Sequence, residues 1–275
     1  MIWFPNCKIN LGLNILEKRP DGYHNLETVF YPVLWSDILE ITPDKSVTSL
    51  NVTGSKFSDD PANNLCMKAY NLLKAHYDIP FCNIHLHKIL PMGAGLGGGS
   101  SDASFTLLSL NKLFKLNLSK EQLKELASQL GSDCSFFIEN TPSFASGKGE
   151  ILETIDLKID HYFILLVKPS VHISTAEAYA GIIPKKPEVP LKTAIMEPIH
   201  HWKYTVFNDF EESIFPKYGR LKIIKEELYE MGALYASMSG SGSTIFGIFK
   251  EQPTTFSFPG CETWKGKMQL PNNSI

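Results

Sequence analysis

The sequence predicts mixed strands and helices in two domains. Three observations carry this: strand-period alternation near the N-terminus, a glycine-rich loop between a strand and an amphipathic helix, and 275 residues with 43% hydrophobic content. A chain of that size and composition can bury a sizeable core, and its length favours two domains of moderate size.

Taken in order, Ile9, Leu11, Leu13 and Ile15 share one face of a strand, with Lys8, Asn10, Gly12 and Asn14 on the other. Pro20-Asp21-Gly22 is a turn signal, and residues 23–33 and 37–42 are expected to be extended, giving an antiparallel start. Asn63-Asn64 leads into a helix carrying Leu65, Ala69, Leu72 and Leu73. Ile84, Leu86 and Lys88 alternate with His85, His87 and Ile89 in a strand ahead of the loop. After it, Ala103, Leu107, Leu110 and Phe114 take helical spacing, with Ser100 or Ser101 as N-cap. Ser119 and Gln122 form a capping box for a helix ended by Gly131, and Ser132-Asp133 can cap a short helix through Phe136 and Phe137. A domain boundary is expected near 155–160, dividing the chain into 1–157 and 158–275, ahead of a buried strand at 162–167. Residues 183–190 are expected as a surface loop and 221–229 as a helix. The run Ser237-Met238-Ser239-Gly240-Ser241-Gly242-Ser243 is a second Gly/Ser loop before an apolar strand at 244–249.

The first loop, Pro91-Met92-Gly93-Ala94-Gly95-Leu96-Gly97-Gly98-Gly99-Ser100-Ser101, is the chemical centre of the sequence. Glycine lets backbone approach a ligand closely, and the following helix offers free N–H groups and its positive dipole end to an anion. The loop is therefore a candidate phosphate cradle. It is not a P-loop, because Gly99 is followed by Ser100 and not by Lys and Ser/Thr. Gly93-x-Gly95-x-x-Gly98 matches the dinucleotide fingerprint, but the second parallel strand with an acidic end is missing, since Asn117-Leu118-Ser119 opens another helix.

Charge excludes other classes. With 26 Lys and Arg against 29 Asp and Glu, and no basic stripe, no nucleic-acid surface is expected. Five scattered cysteines (Cys7, Cys66, Cys82, Cys134 and Cys261) lack metal-ligand spacing and predict a reducing cytosol. No apolar run approaches membrane-spanning length, and a soluble, cytoplasmic protein is expected.

Several segments together resemble the kinase superfamily named for galactose, homoserine, mevalonate and phosphomevalonate (GHMP). They are Cys7-Lys8-Ile9-Asn10-Leu11, Arg19-Pro20-Asp21-Gly22-Tyr23-His24-Asn25-Leu26, the glycine-rich loop, Gly131-Ser132-Asp133-Cys134-Ser135-Phe136-Phe137, Asn208-Asp209-Phe210-Glu211 and Met238-Ser239-Gly240-Ser241-Gly242-Ser243. The resemblance spans nearly the whole chain. It implies an α+β, two-domain GHMP kinase fold, with an N-terminal domain resembling a ribosomal-protein fold, a ferredoxin-like C-terminal domain, and substrates in the cleft between them. It also implies ATP and Mg²⁺ as cofactors and transfer of phosphate to the 2-hydroxyl of a cytidine-diphosphate-linked methylerythritol, in a monomer or weak homodimer. Another small-alcohol kinase of this superfamily and a non-catalytic nucleotide-binding protein are the alternatives. Cys7 stands where such enzymes usually carry alanine, and is expected to serve packing.

By the same resemblance, the backbone of residues 91–101 would hold the ATP phosphates, and Asn64, otherwise a helix cap, would contact adenine or ribose. Asp133 would accept the proton of the attacking hydroxyl or orient it, against a plain capping role. Lys8 would pair with Asp133 and stabilise developing charge, where an exposed strand lysine is the ordinary expectation. Tyr23 and His24 would stack on cytosine and read its polar edge, where a solvated hairpin tip is the alternative. Asn10, Thr175, Gly240 and Ser241 would complete the substrate site. His85, His87, His200 and His201 are expected to have no catalytic part, the last two as a solvated loop pair.

Overall fold

The computed structural model describes residues 1–54 and 63–271. Two long strands dominate its first half. β1 (Ile2–Trp3) is followed by β2 (Asn6–Lys18) and β3 (His24–Ser36), an antiparallel pair closed by the Pro20-Asp21-Gly22 turn. Alternation predicted only the middle of β2, because pairing with β3 extends it at both ends. Gly12 sits at a register shift with φ of +73°. There the extra residue of a bulge needs the left-handed region, which glycine enters without strain.

Strands β4 (Ile38–Pro43), β5 (Ser49–Gly54) and β6 (Cys82–Lys88) join β1 in a sheet of order β1-β4-β6-β5. Its inner face takes Leu39, Ile41, Ile84 and Leu86. Helices α1 (Leu65–His76), α2 (Gly98–Leu113), α3 (Lys120–Ser128) and α4 (Cys134–Glu139) supply the apolar side chains of the same core, including Leu73, Leu107, Leu110 and Phe137. Asn64 caps α1 by accepting from the Cys66 N–H, and the capping box of Ser119 and Gln122 is formed in both directions. Strands β7 (Ser143–Ser146) and β8 (Ile151–Thr154) extend the β2–β3 pair into a second sheet.

The second half is built on β9 (Phe163–Pro169), β10 (Tyr235–Met238), β11 (Ile245–Phe249) and β12 (Cys261–Lys267), an antiparallel sheet of order β10-β11-β9-β12. Short helices α5 (Thr175–Ala180), α6 (Leu191–Ala194), α7 (Trp202–Thr205) and α8 (Phe210–Ile214) precede the longer α9 (Gly219–Glu230). Period two divides β9 between two cores. Ile164 and Leu166 join the core of Ile9, Leu11 and Tyr31 from β2 and β3, whereas Leu165 and Val167 join Ile224 and Leu228 of α9. Burial against both neighbours therefore locks the halves together. His200 and His201 are exposed but stand in a 3-10 turn, Ile199–His201, not in an open loop.

Candidate active site

The polar face of β2 does not meet solvent. Lys8, Asn10 and Asn14 are buried, the first two against the glycine-rich loop and the second Gly/Ser loop, and Asn14 where it donates to Asp209 Oδ1 at 3.2 Å. Each partner is identifiable. The Lys8 N–H donates to the Leu96 carbonyl at 3.0 Å, and the Asn10 N–H to the Ser239 hydroxyl at 3.2 Å. Ser239 in turn donates to the Gly95 carbonyl at 2.9 Å, and the Thr244 N–H to the Ala94 carbonyl at 3.2 Å. Gly95 is required by this closeness: its φ is +76°, and a Cβ would fall 2.0 Å from the Ser239 carbonyl oxygen. From the other side, Asn208 donates to the carbonyls of Met238 and Gly240 at 2.7 and 2.8 Å, and Glu211 accepts from the Met238 N–H at 2.8 Å. The Asn208-Asp209-Phe210-Glu211 segment thus holds the second loop in place.

Helix α2 starts earlier than its hydroxyls suggested. Gly97, with φ of +69°, occupies the N-cap position without any side-chain cap, so Ser100 and Ser101 lie inside the first turn. A cap hydroxyl would have satisfied the first-turn N–H groups; the glycine leaves them to a ligand. Gly97 also gives Lys8 its path, since a Cβ there would stand 3.1 Å from the Lys8 Cε.

Two cavities, of about 790 and 370 Å³, lie against the loop and share Gly93, Gly95 and Gly97 as wall. Residues 91–100 and Asn64 line the smaller one. Ser101 does not; its hydroxyl is buried without a hydrogen-bond partner. Lys8, Asn10, Tyr23, His24, Asp133, Thr175, Gly240 and Ser241 all line the larger one. Apart from Ser101, the structure therefore brings the sequence-predicted positions to two adjoining chambers.

In the wall of the larger cavity, Lys8 Nζ donates to Asn10 Oδ1 at 2.7 Å and to the Gly95 carbonyl at 3.3 Å, and pairs with Asp133 Oδ2 at 3.3 Å. Three acceptors match the three protons of an ammonium. Asn10 is itself fixed by donating to Thr28 Oγ1 at 2.9 Å. Asp133 occupies the N-cap position of α4 but makes no side-chain cap bond there. Its carboxylate, 32% exposed, is turned to Lys8 and the cavity instead.

The same cavity carries an aromatic group. His24 stacks on Tyr179 with ring centroids 4.8 Å apart, and Lys148 Nζ lies 4.7 Å from the Tyr23 ring centroid. Burial of the His24 ring, with Lys18 nearby, holds its imidazole below the ordinary value. Tyr179 and Lys148 were not singled out from the sequence. The signal for Tyr179 was its place four residues after Thr175, one helical turn along α5.

A second missed group lies beside the smaller cavity. Lys88 pairs with Asp37 and, at 2.7 Å, with Asp102 Oδ2, all three being buried. Lys88 falls on the inward face with Ile84 and Leu86, so the strand period alone marked it as a buried charge needing partners. Burial lowers the Lys88 pKa, but Asp102 and Asp37 together raise it above the ordinary lysine value.

Residues 64–143 match the family described as GHMP kinases N terminal domain, and residues 194–255 the one described as GHMP kinases C terminal. The 4-diphosphocytidyl-2-C-methyl-D-erythritol kinase of Bacteroides fragilis is 52% identical over 255 residues, covering 92% of this chain and 93% of that one. This chain belongs to the GHMP kinases, in the 4-diphosphocytidyl-2-C-methyl-D-erythritol kinase family. The Bacteroides thetaiotaomicron enzyme of the same name is 53% identical over 257 residues, covering 92% and 94% of the two chains. A crystal structure of 4-(cytidine 5'-diphospho)-2C-methyl-D-erythritol kinase superposes with a TM-score of 0.78 at 31% identity over 90% of each chain. Homoserine kinase from Cytophaga hutchinsonii, 16% identical, matches 96% of each chain with a TM-score of 0.61 and shares the fold. The α+β, two-domain GHMP kinase fold implied by the sequence is thus the fold of this GHMP kinase, and ATP-dependent phosphotransfer is its family's chemistry. Among the described residues no helix is long and apolar enough to cross a membrane.

Proposed function

We propose that this GHMP kinase transfers the terminal phosphate of ATP to the 2-hydroxyl of 4-diphosphocytidyl-2-C-methyl-D-erythritol, releasing ADP. The observation that carries the reading is the pair of cavities sharing a glycine wall, with Lys8 and Asp133 in the larger one. Phosphoryl transfer passes through a loose transition state, so a protein contributes mainly by aligning donor and acceptor and by balancing charge. The smaller cavity takes the nucleotide, its phosphates meeting the open N–H groups at the start of α2. The larger one takes the acceptor, with cytosine among Tyr23, His24 and Tyr179 and the reacting hydroxyl beside Asp133.

In the transfer, the acceptor oxygen forms its bond to the terminal phosphorus as the bond to the ADP oxygen breaks, and the hydroxyl proton passes to the Asp133 carboxylate. Lys8 offsets charge at the reacting oxygens while its bonds to Asn10 and Gly95 hold it in place. His24, its imidazole held below the ordinary value chiefly by burial, offers cytosine its ring. Mg²⁺ fits as an ion carried by the triphosphate: among the described residues no three His, Cys, Asp or Glu side chains are grouped to hold a metal, and the Ser100 hydroxyl would supply an oxygen from the wall of the smaller cavity. When bound it would neutralise phosphate charge. Five unpaired cysteines support a reducing, cytosolic setting.

The test is ADP release from Mg-ATP with a panel of acceptors: the cytidyl substrate, methylerythritol phosphate, homoserine and mevalonate. Turnover with the cytidyl compound alone is expected. Turnover with another alcohol would keep the superfamily and overturn the assignment of Tyr23 and His24, and none with any acceptor would overturn the reading as a whole.

A further inference from the structure

Glycine-rich loops bind phosphate well only when both ends are fixed, because each freely rotating residue must otherwise be ordered on binding. In this chain both ends converge on a single ammonium. Asp37, at the junction of β3 and β4 and fully buried, accepts through Oδ1 from the N–H groups of Ile89 and Leu90 at 2.5 and 2.8 Å, while its Oδ2 takes the Lys88 ammonium. These bonds hold residues 88–90, the last three before the loop. Beyond it, Asp102 in the second turn of α2 binds the same ammonium at 2.7 Å. Between them, Gly98 lies close above Lys88 Nζ, only 3.6 Å from where its Cβ would stand.

Two features point this cluster towards a ligand. Lys88 and Asp102 both line the smaller cavity, and Asp102 Oδ1 is buried with no hydrogen-bond partner among the described residues. A buried ion cluster gains little stability over an apolar core of the same shape, so stability alone does not account for one at this place. We propose that Asp37 is a positioning residue of the nucleotide site: it fixes Lys88 and the chain entering the glycine-rich loop, so that the ammonium and the loop N–H groups face the nucleotide in one arrangement. The proposal rests on assigning the smaller cavity to the nucleotide.

Asp37→Asn keeps an oxygen for the N–H groups of Ile89 and Leu90 and removes the charge that holds Lys88. Three readings are compared with the parent protein: calorimetric titration with ADP in the absence of acceptor, steady-state kinetics in each substrate, and thermal unfolding. We expect the ADP Kd and the ATP KM to rise together by about tenfold, the scale of one lost charge-assisted hydrogen bond, with kcat and the acceptor KM within about twofold. Asp102→Asn should act in the same direction, and the double variant should lose less than the product of the two, because both side chains act through Lys88. If Asp37→Asn does not fold, Asp102→Asn carries the test, since it breaks no backbone contact of the loop. A folded variant with unchanged ADP affinity overturns the proposal, as does an equal loss in both KM values and kcat. A parent protein that binds no ADP sinks the assignment of the cavity and the proposal with it. One that binds ADP but phosphorylates no cytidyl acceptor sinks only the reaction.

Discussion

Lys8 and Lys88 are both buried strand lysines beside the same glycine-rich loop, yet their surroundings differ in kind. Lys8 meets two neutral oxygens and one carboxylate that is a third exposed, in the larger cavity. Lys88 meets two carboxylates that are themselves buried. An ammonium held by neutral acceptors keeps most of its field for a substrate, whereas one between two carboxylates has its charge balanced within the protein. The first environment suits reaction and the second suits fixing a backbone. The comparison predicts that damage at Lys8 and Asp133 appears in turnover, and damage around Lys88 in nucleotide binding and pH dependence.

The largest effect should come from Asp133→Asn. Its carboxylate is not used as a helix cap, so an amide of the same shape should leave α4 intact while removing the charge partner of Lys8 and the proposed proton acceptor. Turnover is expected to fall by about a thousandfold, with the ATP KM within about twofold. A rise in ATP KM with normal turnover would erase the distinction between the lysines. Next in size is Tyr23→Ala in the wall of the larger cavity. Tyr23 is 60% exposed and supports no core, so its loss should spare stability. Loss of stacking on a base corresponds to about a tenfold rise in the cytidyl substrate KM. Kinetics varying each substrate in turn should show the ATP KM unchanged; equal rises in both would place Tyr23 outside the acceptor site.

How much of this was legible in the sequence depends on the range of the interactions involved. Local signals served well: the capping box of Ser119 and Gln122, Asn64 as an N-cap and the turn at Pro20-Asp21-Gly22 all involve residues within a few positions of one another. The alternation of β2 was equally visible, but not what its polar face meets, because Ser239 lies 229 residues from Asn10. The start of α2 was misplaced for a physical reason: Ser100 and Ser101 have the chemistry of caps, but Gly97 in the left-handed region starts the helix three residues before Ser100 and leaves the first-turn N–H groups without a side-chain cap, as the proposed phosphate site requires. Lys8 and Asp133 were picked out by resemblance; spacing alone favoured an exposed lysine and a capping aspartate. Tyr179 and the Asp37–Lys88–Asp102 cluster were missed because each depends on segments that only the tertiary fold brings together, although Lys88 on an apolar strand face was a local clue.

The smallest effect sharpens the comparison from the Lys88 side, through stability and not kinetics. Burial pushes the Asp102 carboxyl up to about 7, outweighing the attraction of Lys88. An unfolded chain releases that proton near 3.8, so between these values the folded protein holds a proton that the unfolded one has lost. Stability must then fall as pH rises through that window. Denaturant unfolding of the parent and of Asp102→Asn at pH 4.5, 6 and 7.5 isolates this contribution by difference, since the other titrating groups are common to both. The parent should lose stability relative to Asp102→Asn with each step up in pH. A constant difference would mean that Asp102 stays ionised throughout, with Lys88 fully compensating its burial, and the two lysines would then differ in geometry alone.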